Sequence, residues 1–497
     1  MRIGDLMSES GVKFGTSGAR GLAVDMTDQV CYAYTAGFIQ YLLAAGLAPP
    51  GADLGLAGDL RPSTGRILAA CARAAADLGF RPRYFGRIPT PAVAAWGIAH
   101  AMPTLMVTGS HIPDDRNGIK FNLPTGEILK RDEEGIRDQT VALPDGLFSP
   151  LGALAAGHPS ALPPEEPDAY EAYVARYLGF FPHGCLNGLR VGIYEHSSVA
   201  RRALAAVLGG LGAQVTRLGY SDRFVPVDTE AIRPEDIALA RAWGATGHFD
   251  ALVSADGDGD RPLVADERGV WLRGDIAGVL CARGLGVRAV ATPVSSNTAV
   301  ERCGRFEQVL RTRIGSPYVI EGMRHLAEDG LGPVAGYEAN GGFLLWSPIE
   351  RAGRTLAALP TRDALVVALT ILAESVERGR SVSDLTADLP ARFTHSDRLQ
   401  SFPPQIAQAR LKELQTGEAA RDRAAAESIF GERFGRVDSL DHTDGVRIVF
   451  ASGEIAHLRP SGNAPELRAY TEADSPQRAA EMNAVCLEIL AGWRESS

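Results

Sequence analysis

Apolar strand-like runs alternate with amphipathic helical runs along most of this chain, and this alternation limits the folds open to it. Residues 51–60 (GADLGLAGDL) precede a helical stretch at 63–80 and a second short apolar run at 81–86. The unit returns over residues 189–220, where Ser197 or Ser198 is expected to cap the helix, and again from residue 287. The pattern predicts α/β layers on largely parallel sheets. The architecture repeats but the sequence does not, which argues against a solenoid.

Chain length and local composition indicate three or four domains. A chain of 497 residues is too long for one hydrophobic core. The stretch 144–168 is rich in Pro, Gly and Ala, and the α/β alternation stops near Pro390, where short strands follow. Ser475 and Pro476 are expected to open the last helix as its cap and first residue. The expected domains are 1–150, 165–270, 271–388 and a small α+β unit at 389–497.

Charge, cysteine content and hydropathy exclude several classes of protein. The formal net charge of -10 argues against nucleic acid as the main partner, although arginine and lysine can still converge locally on an anion. The six cysteines are scattered without a CxxC pair, a usage typical of a reducing cytosol. No stretch approaches the ~20 apolar residues of a membrane helix, and the first residues contain no apolar core of a signal peptide. We therefore expect a soluble cytoplasmic protein with no membrane partner.

The segment TGSHIPDDRNGIKF, residues 108–121, contains a candidate nucleophile. Ser110 follows an apolar strand in a glycine-containing turn, the position at which open α/β sheets present ligand-binding groups. A serine hydroxyl needs a base or a favourable electrostatic environment to react, and His111 and Lys120 can supply either. The alternative is an ordinary polar turn whose serine is hydrogen-bonded.

The segment ADGDGDRPLVAD, residues 255–266, contains a candidate metal site. Asp256, Asp258 and Asp260 alternate after an apolar run, so three carboxylates can converge on one hard cation. Arg261 follows and can contact phosphate. A calcium loop of the EF-hand kind is one alternative, with Glu267 at its terminal ligand position, but Arg261 stands where such a loop needs glycine. A solvated acidic turn is the other alternative.

Three further segments combine glycine with polar side chains. In LRPSGNAPELRAY, residues 458–470, a tight turn offers a phosphate cradle of backbone N–H, hydroxyl and guanidinium groups. In GYEANGGF, residues 336–343, Glu338 and Asn340 can bind vicinal sugar hydroxyls. In FGTSGARG, residues 14–21, Arg20 can reach an anion. Each segment alone is equally compatible with an ordinary loop.

Taken in this order, the five segments resemble those of the α-D-phosphohexomutase superfamily, over essentially the whole chain. In that superfamily FGTSG-R-G precedes a TGSH-P–NG-K phosphoserine loop, a DGD-DR metal loop, a Gly-Glu sugar loop and a C-terminal RPSG phosphate loop. Within it the sequence looks like the bacterial phosphomannomutases. The resemblance implies three related α/β domains and a smaller mobile one around a central cleft. It also implies an isomerase that moves phosphate between the 6- and 1-positions of a hexose, with mannose preferred, through a hexose 1,6-bisphosphate.

 

The resemblance also assigns roles to individual residues. Ser110 matches the phosphorylated serine, and its phosphate completes the Mg²⁺ site formed by Asp256, Asp258 and Asp260. His111 and Lys120 match groups near the transferred phosphate, one of them acting as general acid or base, and Arg20 and Arg261 match active-site arginines. The implied substrate-binding residues are Glu338, Asn340, Arg459, Ser461, Gly462, Asn463 and Arg468. A hexose 1,6-bisphosphate is the implied activator, the partner is a phosphosugar, and the protein is a monomer or homodimer.

The sequence departs from the superfamily pattern at three places. The sugar loop usually reads Gly-Glu-Met-Ser-Gly-His, so Asn340 replaces Ser and Gly342 stands where His is common. The phosphate loop has Asn463-Ala464 in place of Thr-Glu. The segment YEHSS at 194–198 replaces an Asp–Gly-Asn-Gly turn.

Other functions remain open at this point. Phosphoglucomutase or dual-specificity activity is the nearest alternative, followed by a mutase acting on N-acetylglucosamine phosphate. A calcium-binding module would need helices beside the aspartate loop. A sugar-phosphate sensor without turnover would be expected to lose Ser110 or an aspartate, and both are retained. No GxxxxGK[ST] loop for a nucleotide is present.

Overall fold

A computed structural model describes residues 1–15, 18–155, 161–461 and 465–495, and the account below concerns these residues. The first unit contains a mixed sheet in the order β1-β2-β6-β5-β3-β4, with β7 paired to β6. Its strands are β1 (Lys13–Phe14), β2 (Ala19–Leu22), β3 (Asp53–Gly58), β4 (Arg81–Tyr84), β5 (Thr104–Val107), β6 (Arg116–Leu123) and β7 (Gly126–Glu127). Its helices are α1 (Ile3–Ser10), α2 (Asp28–Ala44), α3 (Thr64–Asp77), α4 (Thr90–Ala99) and α5 (Lys130–Arg137).

The second unit is a four-stranded sheet in the order β11-β10-β8-β9. Its elements are α6 (Asp168–Phe180), β8 (Arg190–His196), α7 (Arg201–Gly210), β9 (Gln214–Tyr220), α8 (Pro234–Gly244), β10 (Ala251–Ala255) and β11 (Pro262–Ala265). The predicted serine cap of α7 is wrong, because Ala200 precedes the helix and no side chain caps it. Ser198 instead donates a 2.7 Å hydrogen bond to the backbone oxygen of Asp256, which ties this turn to the aspartate loop.

The third unit has a four-stranded sheet in the order β13-β12-β14-β15 and a two-stranded ribbon of β16 and β17. The strands are β12 (Ala289–Pro293), β13 (Gln308–Thr312), β14 (Val334–Tyr337), β15 (Phe343–Leu345), β16 (Ile349–Arg351) and β17 (Arg354–Leu356). The helices are α9 (Gly274–Leu285), α10 (Ala299–Arg302), α11 (Ser316–Glu328), α12 (Ala364–Arg378) and α13 (Val382–Ala387).

The three sheets share one topology, although their sequences differ. In each, three parallel strands lie in the spatial order second-first-third, and a fourth strand pairs antiparallel with the third. The fourth strands are β6, β11 and β15. The prediction of three related α/β units is confirmed. The second and third sheets are largely parallel as predicted, whereas the first sheet has more antiparallel than parallel pairs. The turn between the third and fourth strands is therefore an equivalent position in all three units.

The C-terminal unit is an antiparallel sheet in the order β18-β22-β21-β20-β19. Its elements are β18 (Phe393–Leu399), α14 (Pro404–Lys412), α15 (Ala419–Phe434), β19 (Val437–Asp441), β20 (Val446–Phe450), β21 (Ile455–Pro460), β22 (Leu467–Ala473) and α16 (Pro476–Glu495). The hydroxyl of Ser475 accepts a hydrogen bond from the Arg478 amide, 3.2 Å away, as expected for the cap of α16. The predicted α+β unit is confirmed.

The hydrophobic core runs across the first three units. Tyr173 and Tyr177 of α6 lie in one buried cluster with Phe85 of the first unit and Leu365 of α12. Because this apolar surface is shared, the turns of the three sheets are held in fixed relative positions. The C-terminal unit has a separate core. The boundaries at 150, 165, 270 and 388 stay a prediction. None of the described helices has both the length and the apolar character needed to cross a bilayer.

Candidate active site

Ser110 lies in the turn between β5 and β6, the third and fourth strands of the first sheet. Its φ of 56° is in the left-handed region, which is uncommon for a residue other than glycine and is held by neighbouring contacts. The Ser110 amide donates to Thr108 Oγ1 at 2.8 Å, and Thr108 Oγ1 donates to Asp59 Oδ2 at 2.7 Å. Arg61 donates from NH2 to the Ser110 backbone oxygen at 3.0 Å. Ser110 is thus placed by a buried polar network at the end of β3.

The three aspartates occupy the equivalent turn of the second sheet, between β10 and β11. Asp256, Asp258 and Asp260 are buried, and one carboxylate oxygen from each lies within 4.8 Å of the others. Ser110 Oγ donates a 2.5 Å hydrogen bond to Asp256 Oδ2, which joins the two turns. A Cβ at Gly257 would lie 2.7 Å from the Ser110 backbone oxygen, so this close approach requires glycine.

The aspartate cluster fits a hard divalent cation. Asp258 Oδ1 and Asp260 Oδ1 are buried and have no hydrogen-bond partner among the described residues. Buried carboxylate oxygens without a partner are costly, and oxygen is the ligand that Mg²⁺ prefers. Asp256, Asp258 and Asp260, with Ser110 beside them, are therefore the residues that would hold Mg²⁺. The loop connects two strands of a hairpin, which contradicts the helix-flanked calcium module.

Lys120 of β6 balances part of the negative charge of the aspartate cluster. Its Nζ lies 2.6 Å from Asp258 Oδ2 and 2.6 Å from Asp260 Oδ2. Burial raises the pKa of Asp258, but the charge of Lys120 together with hydrogen bonds from Lys120 and Thr90 outweighs burial and leaves that pKa below its usual range. Burial, followed by repulsion from Asp258 and Asp260, raises the pKa of Asp256 well above its usual range. Asp256 is therefore the carboxylate of the three whose ionisation its surroundings disfavour.

His111 lies between Ser110 and Arg261. Arg261 donates from NH1 to His111 Nδ1 at 2.8 Å, so the imidazole proton is assigned to Nε2, which lies 3.8 Å from Asp228 Oδ2. Ser110 Oγ is 3.3 Å from the same Nδ1. Burial and the charge of Arg261 lower the pKa of His111 to about 3. His111 is consequently neutral at physiological pH.

The predicted sugar loop occupies the equivalent turn of the third sheet, between β14 and β15. Glu338 and Asn340 are buried there, with exposed fractions of 4% and 7%. Asn340 Oδ1 accepts from the Gly342 amide at 2.9 Å, so this oxygen also supports the loop. Arg362 NH1 donates to Glu338 Oε2 at 3.2 Å, and Arg362 Nε lies 3.1 Å from Asp260 Oδ2. The sugar loop and the aspartate loop therefore share one arginine.

Arg20 of β2 adds a further positive charge to this centre. It pairs in register with Gly118 of β6, two residues before Lys120. Burial, and then the nearby charges of Arg261 and Arg362, lower the pKa of Arg20 to about 10. Arginine side chains gathered near Ser110 are suited to the oxygens of a phosphoryl group.

The predicted phosphate loop lies between β21 and β22 of the C-terminal unit. Arg459 and Arg468 are cross-strand partners there. Arg459 Nε lies 3.0 Å from Asp444 Oδ2, and Arg468 NH2 donates to Glu466 Oε2 at 3.1 Å. The Ser461 amide donates to the Glu466 backbone oxygen at 2.8 Å. Gly462 and Asn463 lie outside the described residues.

Family models and known relatives show which family the chain belongs to. The chain matches the phosphoglucomutase/phosphomannomutase alpha/beta/alpha domain I over residues 11–143, domain III over 273–393 and the C-terminal domain over 407–488. The chain belongs to the phosphoglucomutase/phosphomannomutase family. A phosphomannomutase of Sinorhizobium fredii is 42% identical over 483 residues, covering 97% of this chain and 99% of the relative. One from Salmonella muenchen is 43% identical over 477 residues, covering 96% and 95%.

Solved structures of this family share the fold. A phosphoglucomutase/phosphomannomutase family protein of Burkholderia thailandensis aligns with a TM-score of 0.70 and 19% identity, over 96% of this chain and 97% of that one. The phosphoglucomutase parafusin of Paramecium, in an open form, aligns with a TM-score of 0.68 and 17% identity, over 97% and 95%. At these identities the likeness concerns the fold alone.

The structure of this family member also contains site residues that the motifs did not reveal. Arg362 lies in the connection before α12, and Asp228 lies in the connection between β9 and α8. Neither belongs to a glycine-containing motif. The sequence indicates Asp59 and Arg61 only weakly, because both come just after the buried strand β3, as Ser110 comes after β5. No sequence feature indicates Thr90, which donates to Asp258 Oδ2 at 2.6 Å.

Proposed function

We propose that this protein is a phosphomannomutase that interconverts mannose 6-phosphate and mannose 1-phosphate through a phosphate carried on Ser110. The observation that carries the proposal is the contact between Ser110 Oγ and the buried aspartate cluster, with Lys120 and Arg261 beside it. A hydroxyl placed among a cation site and positively charged side chains is the equipment of phosphoryl transfer.

The phosphate of Ser110 passes to the free hydroxyl of the bound hexose monophosphate. The bond between phosphorus and Ser110 Oγ breaks as the bond to the sugar oxygen forms. The hydroxyl proton goes to the neutral imidazole of His111 or, if Lys120 is the general base, to its amine after the ammonium has released a proton to solvent. The bisphosphate then turns over in the cleft, and its other phosphate returns to Ser110. Arg20 and Arg261 offset the charge on the phosphoryl oxygens. When bound, Mg²⁺ supplies Lewis-acid stabilisation of the same oxygens.

The other predicted residues bind the parts of the substrate that do not react. Glu338 and Asn340 are assigned to the sugar hydroxyls, and Arg459, Ser461, Gly462, Asn463 and Arg468 to the second phosphate. Because the bisphosphate must be retained during its turn, a hexose 1,6-bisphosphate added in solution should restore phosphate to Ser110 and act as activator. We further propose a cytoplasmic monomer or homodimer.

A coupled assay with three substrates tests the function. Mannose and glucose phosphates share O3 and O4, which Glu338 and Asn340 can contact, so we expect turnover of both with mannose preferred. N-acetylglucosamine phosphate should react poorly. Comparable turnover of that substrate would overturn the mannose assignment. If no substrate is turned over when Mg²⁺ and bisphosphate are supplied, the protein binds sugar phosphates without interconverting them and the enzymatic proposal is wrong.

A further inference from the structure

Arg362 connects two of the three equivalent turns, and no motif assigned it a role. It is 2% exposed and lies in the connection between β17 and α12. Its guanidinium reaches Glu338 Oε2 on the sugar loop and Asp260 Oδ2 on the aspartate loop, at 3.2 Å and 3.1 Å. The guanidinium contacts the two carboxylates through two different nitrogens, by a hydrogen bond to Glu338 and an ion pair with Asp260, a geometry that the single nitrogen of a lysine cannot reproduce.

The residues on either side of Arg362 anchor it to the first two units. Thr361 Oγ1 donates to Glu127 Oε1 of β7 at 2.6 Å. Asp363 accepts hydrogen bonds from Tyr173 and Tyr177 of α6, the former at 2.7 Å, and caps α12 through the Leu365 amide at 3.0 Å. The three consecutive residues thus contact all three α/β units, so the backbone at Arg362 is tightly constrained.

The stem of Arg362 also occupies the space beside Gly342. A Cβ built at Gly342 would lie 2.5 Å from Cδ and 2.7 Å from Cγ of Arg362. Atoms cannot approach this closely, so a side chain at position 342 and the present conformation of Arg362 exclude each other. Gly342 is therefore required by the arginine packed over it.

We propose that Arg362 is a positioning residue that orients Glu338 for the hexose hydroxyls, and that its charge offsets part of the negative charge that Asp260 presents to the cation. This role rests on the proposed function for its kinetic consequences. Arg362 acts through the two carboxylates that its guanidinium contacts. Its positive charge next to Asp260 also opposes a bound cation, so removing that charge should strengthen Mg²⁺ binding while weakening sugar binding.

The first experiment compares two variants. Arg362→Met keeps an aliphatic side chain and removes the charge, whereas Arg362→Lys keeps the charge and removes the planar guanidinium. For Arg362→Met we expect KM for mannose phosphate to rise on the order of tenfold, as Glu338 loses a charged partner. Mg²⁺ is also titrated into the protein without sugar while the thermal unfolding midpoint is measured. In Arg362→Met the midpoint should rise at a severalfold lower Mg²⁺ concentration than in the wild-type protein. Arg362→Lys should keep the wild-type Mg²⁺ response while KM remains raised.

Arg283→Met provides a matched control. Arg283 is also largely buried and paired, with Glu374 at 3.1 Å, near the other end of α12. The Arg283→Met substitution should lower the unfolding midpoint without changing KM or the Mg²⁺ response. If Arg362→Met behaves like this control, or weakens sugar and Mg²⁺ binding together, Arg362 has only a structural role and the proposal is wrong.

The second experiment tests the packing without any activity. Gly342→Ala should lower the unfolding midpoint in the wild-type background and much less in an Arg362→Ala background, where the stem is absent. Equal losses in both backgrounds would overturn the proposed exclusion. An absence of mutase activity in the wild-type protein would instead refute the proposed function, while this comparison would still decide the packing role of Arg362.

Discussion

The aspartate turn and the C-terminal phosphate turn both gather charged groups, but they pair them differently. Lys120 reaches Asp258 from another unit, and the two side chains are 6% and 0% exposed. Arg459 pairs with Asp444 of its own unit, and the two side chains are 20% and 9% exposed. Breaking a fully buried ion pair costs roughly 3–5 kcal/mol, and the cost falls towards the roughly 0–1 kcal/mol of an exposed pair as the side chains become more accessible.

The difference suits the two tasks assigned to these regions. Groups around the transferred phosphate must be in place before the reaction, because their catalytic value depends on being preorganised. A group that binds the second phosphate must exchange its present partner for the substrate in every cycle. A partly exposed arginine held by one nearby carboxylate can make that exchange at low cost. Substitutions in the buried region should therefore have the larger effects.

The largest effect is expected for Ser110→Ala. Without the hydroxyl no phosphoenzyme can form, so turnover should be abolished and the purified protein should carry no phosphate at this site. Mass spectrometry and the coupled assay measure both. The control is Ser375→Ala on α12, whose hydroxyl bonds the Arg380 backbone oxygen away from the cluster and should leave both properties intact. Near-normal activity of Ser110→Ala would eliminate the phosphoenzyme.

Asp258→Asn should raise the Mg²⁺ concentration needed for activity sharply. The substitution removes one anionic ligand and also the ion pair with Lys120. The matched control is Asp236→Asn, another buried aspartate, which is paired with Arg233 outside the site and should affect only stability. Full activity in excess chelator would rule out the metal, and an unchanged Mg²⁺ response would remove Asp258 from its ligands.

Glu338→Gln should lower kcat/KM for mannose and glucose phosphates alike by ~1.5–3 kcal/mol, the scale of a hydrogen bond to a charged group. Steady-state kinetics on both sugars measure the loss. A loss confined to one sugar would mean that Glu338 distinguishes the 2-position.

Arg459→Ala should weaken binding of the monophosphate and slow turnover, while the phosphate on Ser110 stays in place. Binding energy from the second phosphate also supports the reacting end of the substrate. Kinetics in both directions, together with the mass of the resting protein, check this prediction. Unchanged kinetics would show that this turn does not bind the second phosphate.

The smallest effect is expected for Asp444→Asn, which removes the negative charge that now holds Arg459. If the substrate phosphate must displace this carboxylate, KM for the monophosphate should fall by a few-fold, about 0.5–1 kcal/mol. Asp444 also accepts from the Ile314 amide at 3.0 Å, a contact that asparagine can keep. A raised KM would indicate that Asp444 positions Arg459 for the phosphate.

The sequence alone predicted the α/β repetition, the C-terminal α+β unit, the cap at Ser475 and the turns that carry the chemistry. These features depend on neighbouring residues: hydrophobic periodicity, glycine-containing turns and caps each act within a few positions. The roles of Ser110, the aspartates and Glu338 came from the order of the motifs and the family they resemble. Their assignment as site residues stays a prediction.

Tertiary structure alone decided which of these turns meet and what lies between them. Ser110 contacts Asp256 across 146 positions of chain, and Lys120 contacts Asp260 across 140. Arg362 shows no signal in its own neighbourhood, because its function comes from two carboxylates on other loops and from the space beside Gly342. Ser198 likewise bonds the aspartate loop and not its own helix. Such contacts depend on how the sheets pack together, and local sequence patterns do not encode that packing.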